Sequence, residues 1–274
     1  MISLASCSTF KPLHSTPPRL HLCGTEVLNY GQPSMLKIAD ELAKDSSVPA
    51  PVVNSATSAD ISSTPTALPT ECPYQLSDEE VVYTGRWLST KQVKFRTQSG
   101  NEGVWQFSNR TTRPEQSLVD GVDVISVLKK SGRRYFILVR QWRIPMNGWC
   151  LEFPAGLVDE KETVEEAALR ELKEETGYSA KLENIVHKTN GIQGLDPGLT
   201  SDSLQFVLIE VDGDAPENAT PQQKLDHTEA IDVILVECDR AFEYLKSIEN
   251  SIHIEAMVYS FVLGHQFSAK FSGR

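Results

Sequence analysis

GLVDEKETVEEAALRELKEETGY, residues 156–178, reads as a loop that turns into a capped helix. Thr163 followed by Glu166 is a capping box, so a helix is predicted to start there. Ala167, Ala168, Leu169 and Leu172, with the charged residues between them, are good helix formers. Gly177 is a natural stop. At about 100° per residue, Glu171, Glu174 and Glu175 share one arc of roughly 100° with Val164, Ala167 and Ala168. Acids on a small, apolar, inward-looking face are unusual, because carboxylates are rarely buried unpaired. Residues 152–175 hold nine acids against three bases. Such a cluster repels itself unless a cation joins it, and oxygen-only ligands suit Mg2+ or Mn2+. Most charge runs are solvated helix faces. Here the glycines, the single Arg170 and the inward arc argue for a site instead.

Working outward, EVVYTGRWLSTKQVKFRT and GVWQFSNRTTR predict antiparallel strands joined by a turn at 99–103. VDVISVLKK and RRYFILVRQW predict a hairpin through Ser131 and Gly132, and the apolar run in the second strand marks it as central. WCLEF is a further strand that feeds the loop and helix. AKLENIVHKT, SLQFVLIEVD and IDVILVEC are three more strands, followed by helices over about 239–248 and 254–267. Strands, helix, strands, helices imply an α/β sandwich with a mixed sheet. The segment 213–227 is long and polar, fit for a mobile lid.

The chain has 274 residues, a formal charge of −11 and a pI near 5.1. That balance argues against a nucleic-acid partner held by a basic field. An anionic substrate remains compatible, since a bound cation inverts the local field. Five scattered cysteines without a CxxC indicate neither a zinc site nor a disulfide framework, and a reducing compartment is expected. No run of 18 apolar residues exists, so no membrane-spanning helix is expected. Residues 1–73 are dominated by Ser, Thr, Pro and Ala and read as a mostly disordered tail. Its first 25 residues lack acids, which is compatible with an organelle transit peptide. Cytoplasmic location is the expectation, with the nucleus as an alternative and the mitochondrion if the tail is a transit peptide. Residues 35–44 could form a short amphipathic helix.

The stretch 156–178 fits the Nudix box, G-x5-E-x7-R-E-U-x-E-E-x-G-U, through Gly156, Glu162, Arg170, Glu171, Leu172, Glu174, Glu175 and Gly177. Tyr178 departs from the aliphatic residue usual at the last position. The flanks QWRIPMNGWCLEFPAGLVD and GLDPGLTSDSLQFVLIEVD, with GVWQFSNRTTR upstream, resemble the ADP-ribose/ADP-sugar pyrophosphatase branch of the Nudix hydrolases, eukaryotic type. The resemblance covers about 79–267, roughly two thirds of the chain. It implies the α/β/α Nudix sandwich over 119–274, preceded by a small β-rich unit at 74–118 that serves dimerisation and substrate binding.

The resemblance also implies roles. Ala155, through its backbone carbonyl, and Glu171, Glu175, Glu152 and Glu229 would hold two or three Mg2+ ions, with Mn2+ as an alternative. Glu174 would be a neighbouring ligand or lie just behind the ligands. Glu229, with Glu174 and Glu175, is the catalytic set, and Glu229 matches a glutamate proposed as the base or a further ligand. Arg170 and Glu162 read as a structural pair tying helix to loop. Trp87 and Trp105 match two rings that sandwich adenine from different subunits, which implies a homodimer. Gln106 stands where relatives often carry an acid. Arg110 and Arg143 are placed to grip phosphates. Asp196 would sit near the terminal ribose hydroxyls, and Leu157 joins the substrate contacts. Trp142 and Trp149 read as packing.

The implied activity is Mg2+-dependent hydrolysis of ADP-ribose or ADP-sugars to AMP and a sugar phosphate. Two alternatives stay open: a Nudix hydrolase for another nucleotide sugar such as GDP-mannose, and a catalytically silent module that binds ADP-ribose. The Trp pair disfavours the first. Loss of a helix glutamate would mark the second, and none is lost.

Overall fold

The computed structural model describes residues 71–271. All but the end of the tail, and the helix read at 35–44, lie outside them. Three strands, β1 (Gln75–Thr84), β2 (Leu88–Arg96) and β3 (Glu102–Arg110), form a small antiparallel sheet. The run predicted as one strand from Glu80 onward is two. The chain turns at Gly85–Trp87, where the Gly85 N–H donates to the Leu88 carbonyl at 2.8 Å. The sequence pattern missed this turn because apolar residues continue on both sides of it.

The larger sheet is built around β4 (Gly121–Lys130) and β5 (Arg133–Arg143), the hairpin expected at Ser131–Gly132. To these are added β6 (Gly148–Glu152), β7 (Ala155–Leu157), β8 (Ile185–Lys188), β9 (Gln193–Gly194), β10 (Ser203–Asp212), β11 (Ile231–Glu237) and β12 (His253–Ile254). The sheet is mixed: β10 runs parallel to β4, while β5 lies antiparallel to β4, β6 and β11. The segment read as a strand from Ala180 begins instead with a tight 3-10 turn at Leu182–Asn184, leaving only β8 to pair with β10.

Alternation along the central strands sends side chains to two cores. Val122, Val124, Leu128, Ile137, Val207 and Ile209 pack under α1 (Val164–Thr176), against Ala167, Ala168 and Leu172. Tyr178 is buried in this same core, so an aromatic ring fills the aliphatic position of the motif. Phe136, Leu138, Leu151 and Phe153 face α2 (Ala241–Ile248) and α3 (Ala256–Phe271), which supply Ala241, Leu245, Val258 and Val262. Helices on both faces of a mixed sheet make the α/β/α sandwich.

One detail of the sheet positions the site. From Gly121 to Asp123, β4 pairs with β7; from Ser126 onward the same edge pairs with β5. Strand β5 meanwhile leaves β4 and pairs with β6 from Val139 to Arg143. The sheet therefore forks, and the loop that precedes α1 enters the fork.

Candidate active site

The helix that carries the acids is held as its sequence predicts. The Thr163 N–H donates to Glu166 at 2.8 Å and the Glu166 N–H donates to the Thr163 hydroxyl at 3.2 Å, completing the capping box. Such a cap stabilises a helix by about 1 kcal/mol. Gly177 ends α1 with φ at +77°, and a side chain there would collide with the backbone of Pro221 and Gln222.

Arg170 ties α1 to the loop. Its Nε and Nη2 donate to the two Glu162 oxygens at 2.9 Å each, and Nη2 also reaches the Leu157 carbonyl at 2.9 Å. Its Nη1 donates to Glu171 at 2.6 Å and to Glu174 at 3.3 Å. Against the upward pull of burial, the Arg170 contacts hold Glu162 below the usual carboxylate range.

Glu171 and Glu175 lie on the inner side of α1. Burial pushes Glu171 up to about 7 even though Arg170 opposes the shift. Burial, then repulsion from Glu171, raises Glu175 to about 8, although the Ala155 N–H donates to its Oε2 at 3.1 Å. The Glu229 charge contributes to both shifts, which places it near the pair. Gly156 leaves room for the Glu171 carboxylate, because a Cβ on it would fall inside that group and displace it. Two desolvated carboxylates with raised proton affinity, packed against bare backbone, form an oxygen-only donor set of the kind hard divalent cations take. Among the described residues no three acidic, His or Cys side chains converge on one metal position. The fit therefore rests on the Glu171–Glu175 pair, the Ala155 backbone and Glu229.

Glu152 is only 8% exposed at its side chain and lies beneath Arg143. Arg143 Nε donates to it at 2.9 and 3.1 Å, and Nη2 at 2.6 Å. Both oxygens of Glu152 are thus engaged by one guanidinium. Arg110, Arg143, Ala155, Gly156 and Leu157 line a single cavity of about 170 Å3 at the fork. Arg110 is fixed by Asp202, with Nε at 2.8 Å from Oδ1.

Trp87 and Trp105 are both exposed on the small sheet, at 58% and 48%. Arg86 stacks over the Trp87 ring at 4.5 Å, and the Trp105 indole N–H donates to the Gly198 carbonyl at 3.2 Å. Gln106 donates to Gln92 on β2. Asp196 sits on an exposed turn whose carbonyl accepts from Leu199 and Thr200, outside the cavity, while its neighbour Leu195 lines it. Trp142 and Trp149 pack edge to face at 5.7 Å.

The segment 213–227 is pinned for most of its length. Asn218, 1% exposed, accepts from the Ser179 N–H and donates to the Ser179 and Asp212 carbonyls. The Lys224 N–H donates to the Glu174 carbonyl at 2.8 Å, and Gln223 Nε2 donates to the Glu175 and Ile231 carbonyls at 2.6 and 3.1 Å. These bonds satisfy carbonyls that a helix end leaves open. The lid reading therefore gives way to a segment latched onto α1. Sequence reasoning also passed over Asp123, Glu255 and Asp202, which line the cavity.

A NUDIX domain model matches residues 117–252. The chain belongs to the Nudix hydrolase family, and it is an enzyme of that family. It is 47% identical over 203 residues to a Caenorhabditis elegans protein named putative nudix hydrolase 2, covering 74% of this chain and 90% of that one. It is 37% identical over 182 residues to the ADP-ribose pyrophosphatase of Saccharomyces cerevisiae, covering 65% and 77%. It is 33% identical over 191 residues to the ADP-sugar pyrophosphatase of Mus musculus, covering 69% and 85%. The crystal structure of an ADP compounds hydrolase superposes with a TM-score of 0.53 at 22% identity, over 76% of this chain and all of that one, and shares the fold. No helix among the described residues is long and apolar enough to cross a membrane.

Proposed function

We propose that this enzyme is a divalent-cation-dependent pyrophosphatase that cleaves ADP-ribose and related ADP-sugars to AMP and a sugar phosphate. The observation that carries the reading is the Glu171–Glu175 pair on the inner side of α1, whose carboxylates are raised toward neutrality chiefly by burial and in part by neighbouring carboxylates. The yeast and mouse relatives, named for ADP-ribose and ADP-sugars, support the substrate class.

Glu171, Glu175 and the Ala155 carbonyl would hold Mg2+ or Mn2+, two or three ions, with Glu229 close by. The ions would neutralise the diphosphate and make a bound water acidic enough to attack phosphorus. The protein's own groups do the rest. Arg110 and the half-exposed Arg143 line the cavity, and their guanidinium N–H groups not held by Asp202 and Glu152 would bind phosphate oxygens through charge-assisted bonds. Glu152 holds the Arg143 guanidinium in place. Glu229, or Glu174 behind it, accepts the proton of the attacking water, and the opposite phosphate leaves in line. Gly156 and Leu157 bring bare backbone to the reacting groups.

Adenine recognition falls to Trp87 and Trp105, with Gln106 beside the latter. The Thr111 N–H donates to the Trp87 carbonyl at 3.2 Å, so Trp87 lies six positions further along β3 than Trp105. At about 3.3 Å per strand residue, that is a separation of roughly 20 Å. One adenine cannot lie between rings so far apart. A sandwich by these two residues therefore takes one ring from each of two copies, which supports a homodimer built on the unit 74–118. Val81, Val82, Tyr83 and Val104 leave apolar surface exposed on that same small sheet.

The test is a product assay with ADP-ribose, ADP-glucose and GDP-mannose, run with Mg2+ and with EDTA. Mg2+-dependent AMP release from ADP-ribose, with little turnover of GDP-mannose, is expected. Turnover of GDP-mannose alone would overturn the adenine assignment. Tight ADP-ribose binding without products would overturn the catalytic one.

A further inference from the structure

An ion pair lies just outside the cavity at the fork, and the proposed mechanism leaves it without a task. Asp120, immediately before β4, is 2% exposed. Arg113, in the link from the small sheet, engages both of its carboxylate oxygens: Nε donates to Oδ1 at 3.0 Å and Nη2 donates to Oδ2. Desolvation can cancel what a buried pair gains, so burying one is a poor way to add stability. What a guanidinium–carboxylate fork fixes is direction.

The other bonds of the pair show what is directed. Arg113 Nη2 also donates to the Ser201 carbonyl at 2.9 Å and to the Ser203 hydroxyl at 3.1 Å. Asp120 Oδ2 accepts from the Ser203 N–H at 3.0 Å and from the Ser203 hydroxyl at 3.2 Å. The Asp120 N–H donates to the Ser203 carbonyl at 2.9 Å. The pair therefore grips the residue before Asp202 and the residue after it. Asp202 in turn accepts from Arg110 Nε at 2.8 Å.

Asp202 and Ser203 stand between two hollows. On one side is the cavity at the fork, which Arg110 lines. On the other is a groove of about 540 Å3 lined by Trp105, Phe107, Arg113 and Ser201. Arg110 ends β3 with an exposed side chain. Such a chain has many rotamers, and ordering it on binding costs affinity unless it is ordered beforehand.

We infer that Arg113 and Asp120 are positioning residues for phosphate binding: they lock the Ser201–Ser203 segment so that Asp202 presents Arg110 to the cavity at the fork in one orientation. The inference rests on the proposed ADP-sugar reading, in which Arg110 binds the diphosphate, and deepens it. The links act in series. Breaking the Arg113 fork frees Arg110, and once Arg110 is gone the fork has nothing left to position.

The experiment is a double-mutant cycle on the full chain with Mg2+. Arg113→Gln should lower kcat/KM for ADP-ribose by about 10-fold, mainly through KM, the scale of coupling between residues of one network. In the Arg110→Ala background the same substitution should change kcat/KM by less than about 2-fold. An equal fall in both backgrounds overturns the inference, because Arg113 would then act by loosening the fold or by touching substrate itself. A second readout needs no turnover. The Arg110 Nε–H, held by Asp202, should give a proton–nitrogen correlation signal away from that of free arginine, assigned by its loss in Arg110→Ala. It should move to the free-arginine position in Arg113→Gln and in Asp202→Asn alike. A signal that stays put in Arg113→Gln overturns the inference. Far-UV circular dichroism checks folding, and Arg113→Lys, which keeps the charge without the fork, carries both comparisons if Arg113→Gln does not fold. A wild type that cleaves no ADP-sugar would fail the catalytic reading itself, and the Arg110 signal would still decide the positioning.

Discussion

The Glu171 carboxylate occupies the space that a side chain on residue 156 would need, so Gly156 and Glu171 are complementary across 15 residues of sequence. Gly156→Ala would push Glu171 off its position without touching either hydrophobic core. Turnover of ADP-ribose should fall by about 10- to 100-fold, the scale seen when support around a metal ligand is lost. The fold should persist by circular dichroism. Near-normal turnover would show that Glu171 does not act from this position.

Glu175 is the most deeply buried acid of the helix, at 4% exposure, and repels Glu171. Glu175→Gln removes that repulsion along with the charge of a proposed metal ligand. Activity should drop by several orders of magnitude, while the metal-free protein should melt at the same or a higher temperature. A lower melting point in EDTA would mean that Glu175 stabilises the fold, contrary to its raised proton affinity.

Asp123 and Glu175 are raised to about 8, and Glu171 and Glu255 to about 7, in each case chiefly by burial. In the unfolded chain these groups ionise near pH 4. Between those limits the folded protein retains protons that the unfolded chain has released. Stability from these groups is therefore full below about pH 4 and declines as pH rises toward 8. In EDTA the thermal midpoint should be higher at about pH 6 than at about pH 8, and Asp123→Asn should flatten the slope. Added Mg2+ should reverse the trend by favouring the ionised glutamates, with protons released on binding. A midpoint that climbs from pH 6 to 8 in EDTA would contradict the account.

Gln223 bridges the last turn of α1 to the start of β11, two residues after Glu229. Gln223→Leu leaves two carbonyls without that donor, at a cost of about 1–3 kcal/mol. At about 2–4 °C per kcal/mol for a chain of this size, the melting point should fall measurably. The Mg2+ concentration for half-maximal activity should rise as well, because the bridge ties the main chain at Glu175 to the strand that follows Glu229. A change in melting point alone would reduce Gln223 to a structural role.

Trp105→Ala should raise KM for ADP-ribose more than it lowers kcat, since stacking on adenine favours ground and transition states alike. An unchanged KM would return Trp105 to packing against Phe95, whose ring centroid lies 6.3 Å away.

The helix and its caps were legible in the sequence because they are local: Thr163, Glu166 and Gly177 each act within one turn. The two-faced strands were legible for the same reason. What escaped was non-local. Asp123 reads as the polar position of an alternating strand, yet β4 is central and its flank is covered at the fork, so the same alternation buries a carboxylate. Glu255 looks like a helix-start acid until the cavity beneath it is seen. The polar segment 213–227 shows no periodicity, and only its bonds to Ser179, Glu174 and Glu175 reveal that it is fastened. Splitting β1 from β2 depended on Gly85, a lone punctuation mark inside an apolar run.

Ser108, near the end of the small sheet's last strand, donates its N–H to the Leu199 carbonyl and accepts from the Ser201 N–H at its own carbonyl, both at 3.1 Å. Two residues on, Arg110 is clamped to Asp202. The small sheet is thus welded to the rim of the cavity at the fork by main chain on one side and charge on the other. Arg110 and Asp202 both line that cavity, so whatever settles against the sheet is tied through this ion pair to the cavity wall.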